Sequence, residues 1–216
     1  MFTIPIFGGI PVKESILTLW IISVVIIVLS LVLTRNLSVE NPSGRQIALE
    51  LIGTKFYGFF KRLVGNNGKQ YISYLMFLIL FIGFADVFPI FGFKPPTKDL
   101  NVTAAMAVMS IVLVQYAAIR HKGVGSWLKS FKEPVSIVTP IKVLELGIKP
   151  FSLCMRLFGN MLGGFVIMKL IEIAVPMVIP AFASLYFDFF DGLLQAFVFA
   201  FLSALYIQEA VEDEEE

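Results

Sequence analysis

Arg156 is the only charged residue between Lys149 and Lys169, and its surroundings are mainly Leu, Met, Phe, Val, Ile and Gly. An arginine in the middle of a bilayer-spanning helix costs about 2.5–3.5 kcal/mol on insertion scales. A chain that keeps one there uses it. Residues three and four apart share a helix face. Stepping from Arg156 at those spacings gives Ser152, Lys149 and Glu145 one way, and Gly159, Asn160 and Gly163 the other. One face thus reads Glu145, Lys149, Ser152, Arg156, Asn160. Gly159, Gly163 and Gly164 form a small-residue edge beside it, where another helix backbone can come close. Such a face suits a sliding protein surface or a water-filled cavity better than lipid.

A second stripe lies nearer the C-terminus. Asp188, Asp191, Gly192 and Gln195 share a face, with Ser203 two turns beyond Gln195. Carboxylates inside a membrane are expensive and mark ion paths. Gln195 has both donors and acceptors, so it can sit beside an arginine without neutralising it. Plainer readings stay open. Glu145 with Lys149 fits a surface ion pair, and Lys169 with Glu172 fits a snorkelling pair at an interface. Asp188 and Asp191 are close enough to the last bend to be solvated. His121 lies between Arg120 and Lys122 and reads as interfacial. The Asn36 and Asn101 glycosylation patterns are frequent by chance. One cysteine, Cys154, excludes an intrachain disulfide, and no His/Cys cluster points to a metal.

These residues belong to a chain of 216 residues that is 57% hydrophobic, holds 22 phenylalanines and is only 15% charged. That composition, with long apolar runs throughout, predicts an all-α polytopic membrane protein forming one integral membrane domain over 1–216. The net charge of +1 offers nothing to nucleic acid. Spans are expected at about 16–33, 71–88, 102–119, 141–173 and 181–207. The first is long enough to be a retained transmembrane helix rather than a signal peptide. About 46–63 is amphipathic, with Ile47, Leu51, Ile52, Phe56, Phe59, Phe60 and Leu63 on one side, and reads as an interfacial helix. The prolines after the second span break helix, and Asp99 or Asn101 can cap the next one.

The pattern from Pro140 to Ile173 implies a helix roughly 50 Å long against a hydrocarbon core about 30 Å thick. Pro176 and Pro180 turn the chain into a similarly long last helix, followed by the acidic tail 209–216. The last two helices are therefore expected to form a long, strongly tilted hairpin. The segment 35–69 carries six Lys/Arg and the segment 120–132 carries four. The positive-inside rule places both in the cytoplasm, with the N-terminus outside and the C-terminus cytoplasmic after five crossings.

Three stretches resemble subunit a of the F-type ATP synthase, the membrane stator facing a rotating ring of c subunits. KPFSLCMRLFGNMLGG is similar to that family's KP-x-S-x-x-x-RLFGN signature. LLQAFVFAFLSALYI is similar to its C-terminal helix, and PTKDLNVTAAMA to its P-x-x-D-x-N-x-T motif. The resemblance implies that Arg156 faces the ion-binding carboxylate of each passing c subunit, with Gln195 beside it and Asn160 one turn on. Asp99, Asn101 and Thr103 match the loop motif, whose role is mainly structural. It further implies two aqueous half-channels and no catalysis by this chain alone. The transported ion is H+ by default or Na+, with no bound cofactor and no metal. Implied partners are the c ring, the peripheral-stalk b subunits and, indirectly, the soluble ATPase head, in the plasma membrane of a bacterium.

Two departures stand out. Many family members carry a glutamate nine residues after the arginine, where this chain has Phe165, and a histidine seven before the glutamine, where it has Asp188. The outer path is accordingly assigned to Asp188, Asp191 and Glu172, and the inner exit to Glu145, Lys149 and Ser152. Gly159, Gly163 and Gly164 would allow close packing of the ring. A secondary transporter using Arg156 to hold an anionic substrate is the rival class, but the chain has no internal repeat and its hairpin is longer than a span requires.

Overall fold

The computed structural model describes residues 3–6, 10–35, 37–38, 42–91, 95–130, 139–174 and 179–211. Asn36, Phe131, Lys132, Pro176 and the tail from residue 212 lie outside the described residues. Among the described residues the regular structure is helical apart from a short antiparallel hairpin, β1 (Thr3–Ile6) and β2 (Ile10–Lys13). Composition predicts no strand here. Pro5 and Pro11 face each other in the pairing, where the extended backbone of an edge strand accepts proline and a helix interior does not.

The helices run α1 (Glu14–Leu33), α2 (Gly44–Val64), α3 (Ile72–Val87), α4 (Leu100–Ser130), α5 (Thr139–Ala174), α6 (Ile179–Ser184) and α7 (Gly192–Val211). Among the described residues, five segments are long and apolar enough to cross a membrane: Ser15–Leu33, Lys69–Ile90, Leu100–Trp127, Thr139–Ala174 and Phe182–Val211. They match the five expected spans, with longer bounds for the third and fifth.

α1 is peripheral. It buries Thr18 and Ile22 and leaves Val24, Ile27, Val28, Leu31 and Val32 exposed, as a lipid-facing helix does. α2 starts at Ser43, whose side chain accepts from the Gln46 N–H, and ends at Gly65 with φ +70°. That left-handed end explains the glycine. The apolar residues that α2 buries lie in its far part: Phe60 and Val64 join Tyr71, Ile72, Leu75, Val114, Ala117, Ala204 and Ile207 in one core. Ile47, Leu51 and Ile52 remain exposed, an apolar surface suited to an interface.

α4 is capped by Asp99, whose Oδ1 accepts from the Asn101 backbone N–H and side-chain amide, both at 3.1 Å. It continues past the expected end at Ile119, kinks at Gly123 (φ +79°), and runs to Ser130. The Trp127 indole N–H then donates to Gln115. The basic segment expected to follow a span is thus partly helical.

α5 is 36 residues with Pro150 inside it, about 54 Å long. It buries one stripe, Leu153, Cys154, Leu157 and Met161, near its middle. That stripe packs with Val102, Met106, Leu78, Ile82 and Phe199. α7 lies along α3 and α4, and α5 rests mainly on α4 and the turn Pro96–Lys98.

Candidate ion-path site

The stripe that anchors α5 sets the direction of Arg156. Leu153, Cys154, Leu157 and Met161 point into the helix bundle, so Arg156, Gly159 and Asn160 face outward and are exposed. Thr103 helps to hold that rotation. Its buried hydroxyl donates to the Leu100 carbonyl at 3.1 Å and lies 3.6 Å from the Cys154 sulfur. The loop motif therefore reaches α5 two residues before Arg156. No acceptor among the described residues pairs with Arg156, and the residue is exposed.

Asn160 donates to Gln195 Oε1 at 2.8 Å and joins α5 to α7. Gln195 is 3% exposed, and its Nε2 has no partner among the described residues. Gly192 and Ser203 are buried on α7 as well. The α7 stripe is thus turned inward, and only Asn160 brings it to the Arg156 face.

The upstream part of that stripe is wound differently. Leu185–Asp191 is a π-helix, and such turns are frequent at functional sites. Asp191 is half-buried. The backbone of Asp188 lies in the π turn, and its side chain is outside the described set.

A carboxylate absent from the sequence assignment lies next to this turn. Asp86 on α3 is fully buried. Its Oδ1 accepts from the Thr97 hydroxyl at 2.6 Å, and Oδ2 has no partner among the described residues. A Cβ added to Gly192 would lie 2.9 Å from the Asp86 Cβ, so glycine is what lets α3 and α7 meet here. The signal was present: Asp86 is an ionisable residue inside the second expected span, subject to the same cost as Arg156.

The other assigned residues divide. Lys169 pairs with Glu172 at 2.5 Å, both well exposed, as the snorkelling reading expects. The Lys98 ammonium sits 4.1 Å above the Phe165 ring. Gly159 and Gly163 have open space where a side chain would be, whereas Gly164 lies against the Phe187 ring and is covered from within the chain. Lys149 meets Glu145 at 3.1 Å, the expected i, i+4 pair, but also both carboxylate oxygens of Glu209 on α7 at 2.9 and 2.8 Å. In the sequence Glu209 only opens the acidic tail. Ser152 is half-buried between Lys149 and Arg156. No group of His, Cys, Asp or Glu among the described residues has a metal-holding arrangement.

Arg156 thus stands exposed on α5, one turn from the Asn160–Gln195 bridge to the last helix. The family model described as ATP synthase A chain matches residues 16–208. The chain belongs to that family.

Curated relatives agree along nearly the whole length. ATP synthase subunit a of Moorella thermoacetica is 35% identical, covering 94% of this chain and 93% of its own. ATP synthase subunit a, sodium ion specific, of Propionigenium modestum is 34% identical, over 96% and 77% respectively. ATP synthase subunit a 1 of Prosthecochloris aestuarii is 32% identical, over 97% and 95%. As a member of the ATP synthase A chain family, this protein is a membrane subunit of the F-type ATP synthase, part of its ion-transporting Fo stator, and not catalytic by itself.

Proposed function

We propose that this chain couples proton flow to rotation of a c-subunit ring, with Arg156 as the charge that faces the ring. The observation that carries this reading is the exposed, unpaired Arg156 beside the Asn160–Gln195 bridge. Arginine stays protonated in proteins. Close to a c-subunit carboxylate it favours the ionised form and so releases the bound ion. It also bars a direct cation leak between the half-channels. A charge crossing the membrane gains about 2.3 kcal/mol per 100 mV, and a leak would waste that energy.

The outer half-channel is assigned to Asp191 and Asp188, with the buried Asp86–Thr97 pair beside them. Glu172 is a rim residue paired with Lys169. The inner half-channel runs past Ser152, Lys149 and Glu145. Gly159 and Gly163 leave room for the c ring to pass, and the peripheral-stalk b subunits and soluble ATPase head complete the complex. The segments 35–69 and 120–132 face the cytoplasm of a bacterium, so the N-terminus is outside and the C-terminus inside.

Replacing Arg156 with alanine in the assembled complex should drop ATP synthesis in energised vesicles to background while the complex still assembles. Normal coupled synthesis by Arg156→Ala would sink the assignment. Sodium is the second reading, favoured by the similarity to the relative named sodium ion specific. ATP-driven acidification that persists without sodium supports the proton; pumping that requires sodium and resists a protonophore supports the alternative.

A further inference from the structure

We propose that Lys149 and Glu209 form a positioning pair that straps the first arm of α5 to α7 and so closes the gap between the two helices beside Arg156. The proposal rests on the reading of Arg156 as the ion-path arginine. An exposed ion pair by itself contributes little. This one differs in three ways. Both Glu209 oxygens accept from the Lys149 ammonium, at 2.8 and 2.9 Å. The Lys149 side chain is only 18% exposed. Its ammonium also lies 5.1 Å from the centroid of the Tyr206 ring, one turn before Glu209. Charge assistance and a cation–π contact both strengthen such a bond.

Its place in the fold gives it a task. The buried stripe Leu153–Met161 secures α5 to α4 and the Pro96–Lys98 turn. Toward α7, polar side chains bridge the two helices at two levels: Asn160–Gln195 and Lys149–Glu209. Arg156 lies between those levels, about two turns from Lys149 and about one from Asn160. Pro150 directly follows Lys149 inside α5. Proline removes one helical hydrogen bond and is a preferred bending point. On the far side of that point, Ile141, Val143, Leu144 and Ile148 are all exposed and only Leu146 is half-buried, so among the described residues little apolar packing holds this arm. The Lys149–Glu209 pair ties it to α7. Released, the arm swings at Pro150, the helices part next to Arg156, and ions slip past it.

The test uses the whole complex in inverted membrane vesicles and reads ions pumped per ATP hydrolysed, with subunit content measured by immunoblot. Glu209 is 58% exposed, so Glu209→Gln leaves the fold intact. It should lower the pumping ratio by roughly three- to tenfold, the scale of losing one ordinary hydrogen bond. Lys149→Gln should do the same. The exchange Lys149→Glu with Glu209→Lys should restore most of the ratio, since it rebuilds the pair between the two helices. A purely structural pair would reduce the amount of complex and leave the ratio unchanged. An unaltered ratio in Glu209→Gln, or an exchange variant as uncoupled as the single ones, overturns the proposal. If Arg156→Ala itself retains coupling, the underlying reading fails instead.

Discussion

Toward α3 and α4, α7 presents Ala196, Phe199, Ala200, Ala204 and Ile207, all essentially inaccessible. Toward α5 it adds polar bridges, through the side chains of Gln195 and Glu209, to the contact that Phe199 makes with the buried stripe of α5. The first face is a dry, close-packed platform with small residues at the crossing; Gly83 and Ala196 meet there, as do Asp86 and Gly192. Lipid tails are as apolar as leucine, so packing and polar bonds, not water exclusion, hold such helices together. The second face is polar and partly open, and it carries Arg156 on its rim. The difference separates two tasks. One side of α7 is the rigid mount, and the other is a working surface whose geometry is set by a few polar bonds.

Mutations can break or sharpen that contrast. Phe199→Ala should have the largest effect on stability, about 3–5 kcal/mol, because it empties a buried site where two clusters of helices meet. The check is the unfolding midpoint in mixed micelles. Gly192→Ala comes next, at about 1–3 kcal/mol from overpacking. Its new methyl would lie 3.2 Å from the Asp86 backbone, which is less able to yield than a side-chain tip. Loss of assembled complex, measured in purified membranes, reports it. Asn160→Ala should cost least, about 0.5–1.5 kcal/mol for one hydrogen bond, yet it should reduce coupled transport more than Gly192→Ala does per complex assembled. If Asn160→Ala destabilised the protein as much as Phe199→Ala, the two faces of α7 would be alike and the contrast would fall.

Much of this arrangement was legible in the chain. Five apolar runs foretold five long helices. The i, i+4 rule placed Glu145 beside Lys149, and Arg156 on one face with Asn160. Asp99 was readable as a cap. Other features were not. The β1–β2 hairpin lies in a stretch too short and proline-rich for periodicity to act on. The π turn at Leu185–Asp191 leaves no mark in the residue types. Asp86 was readable by cost alone, but its partner Thr97 was not, because the two meet only when the loop folds back on α3.

The sequence by itself determined which segments are apolar enough to cross a membrane and which charges they carry, because transfer cost and helical period are local properties. It also determined that Arg156 and Asn160 share one face. Only the tertiary structure decided what meets across helices: Asn160 with Gln195, Lys149 with Glu209, Asp86 with Thr97, and Gly164 with Phe187. Those meetings depend on how far each helix is turned and how high it stands against its neighbours. Rotation and height follow from side-chain packing between segments distant in the chain, such as Leu157 and Phe199, and no local pattern encodes them.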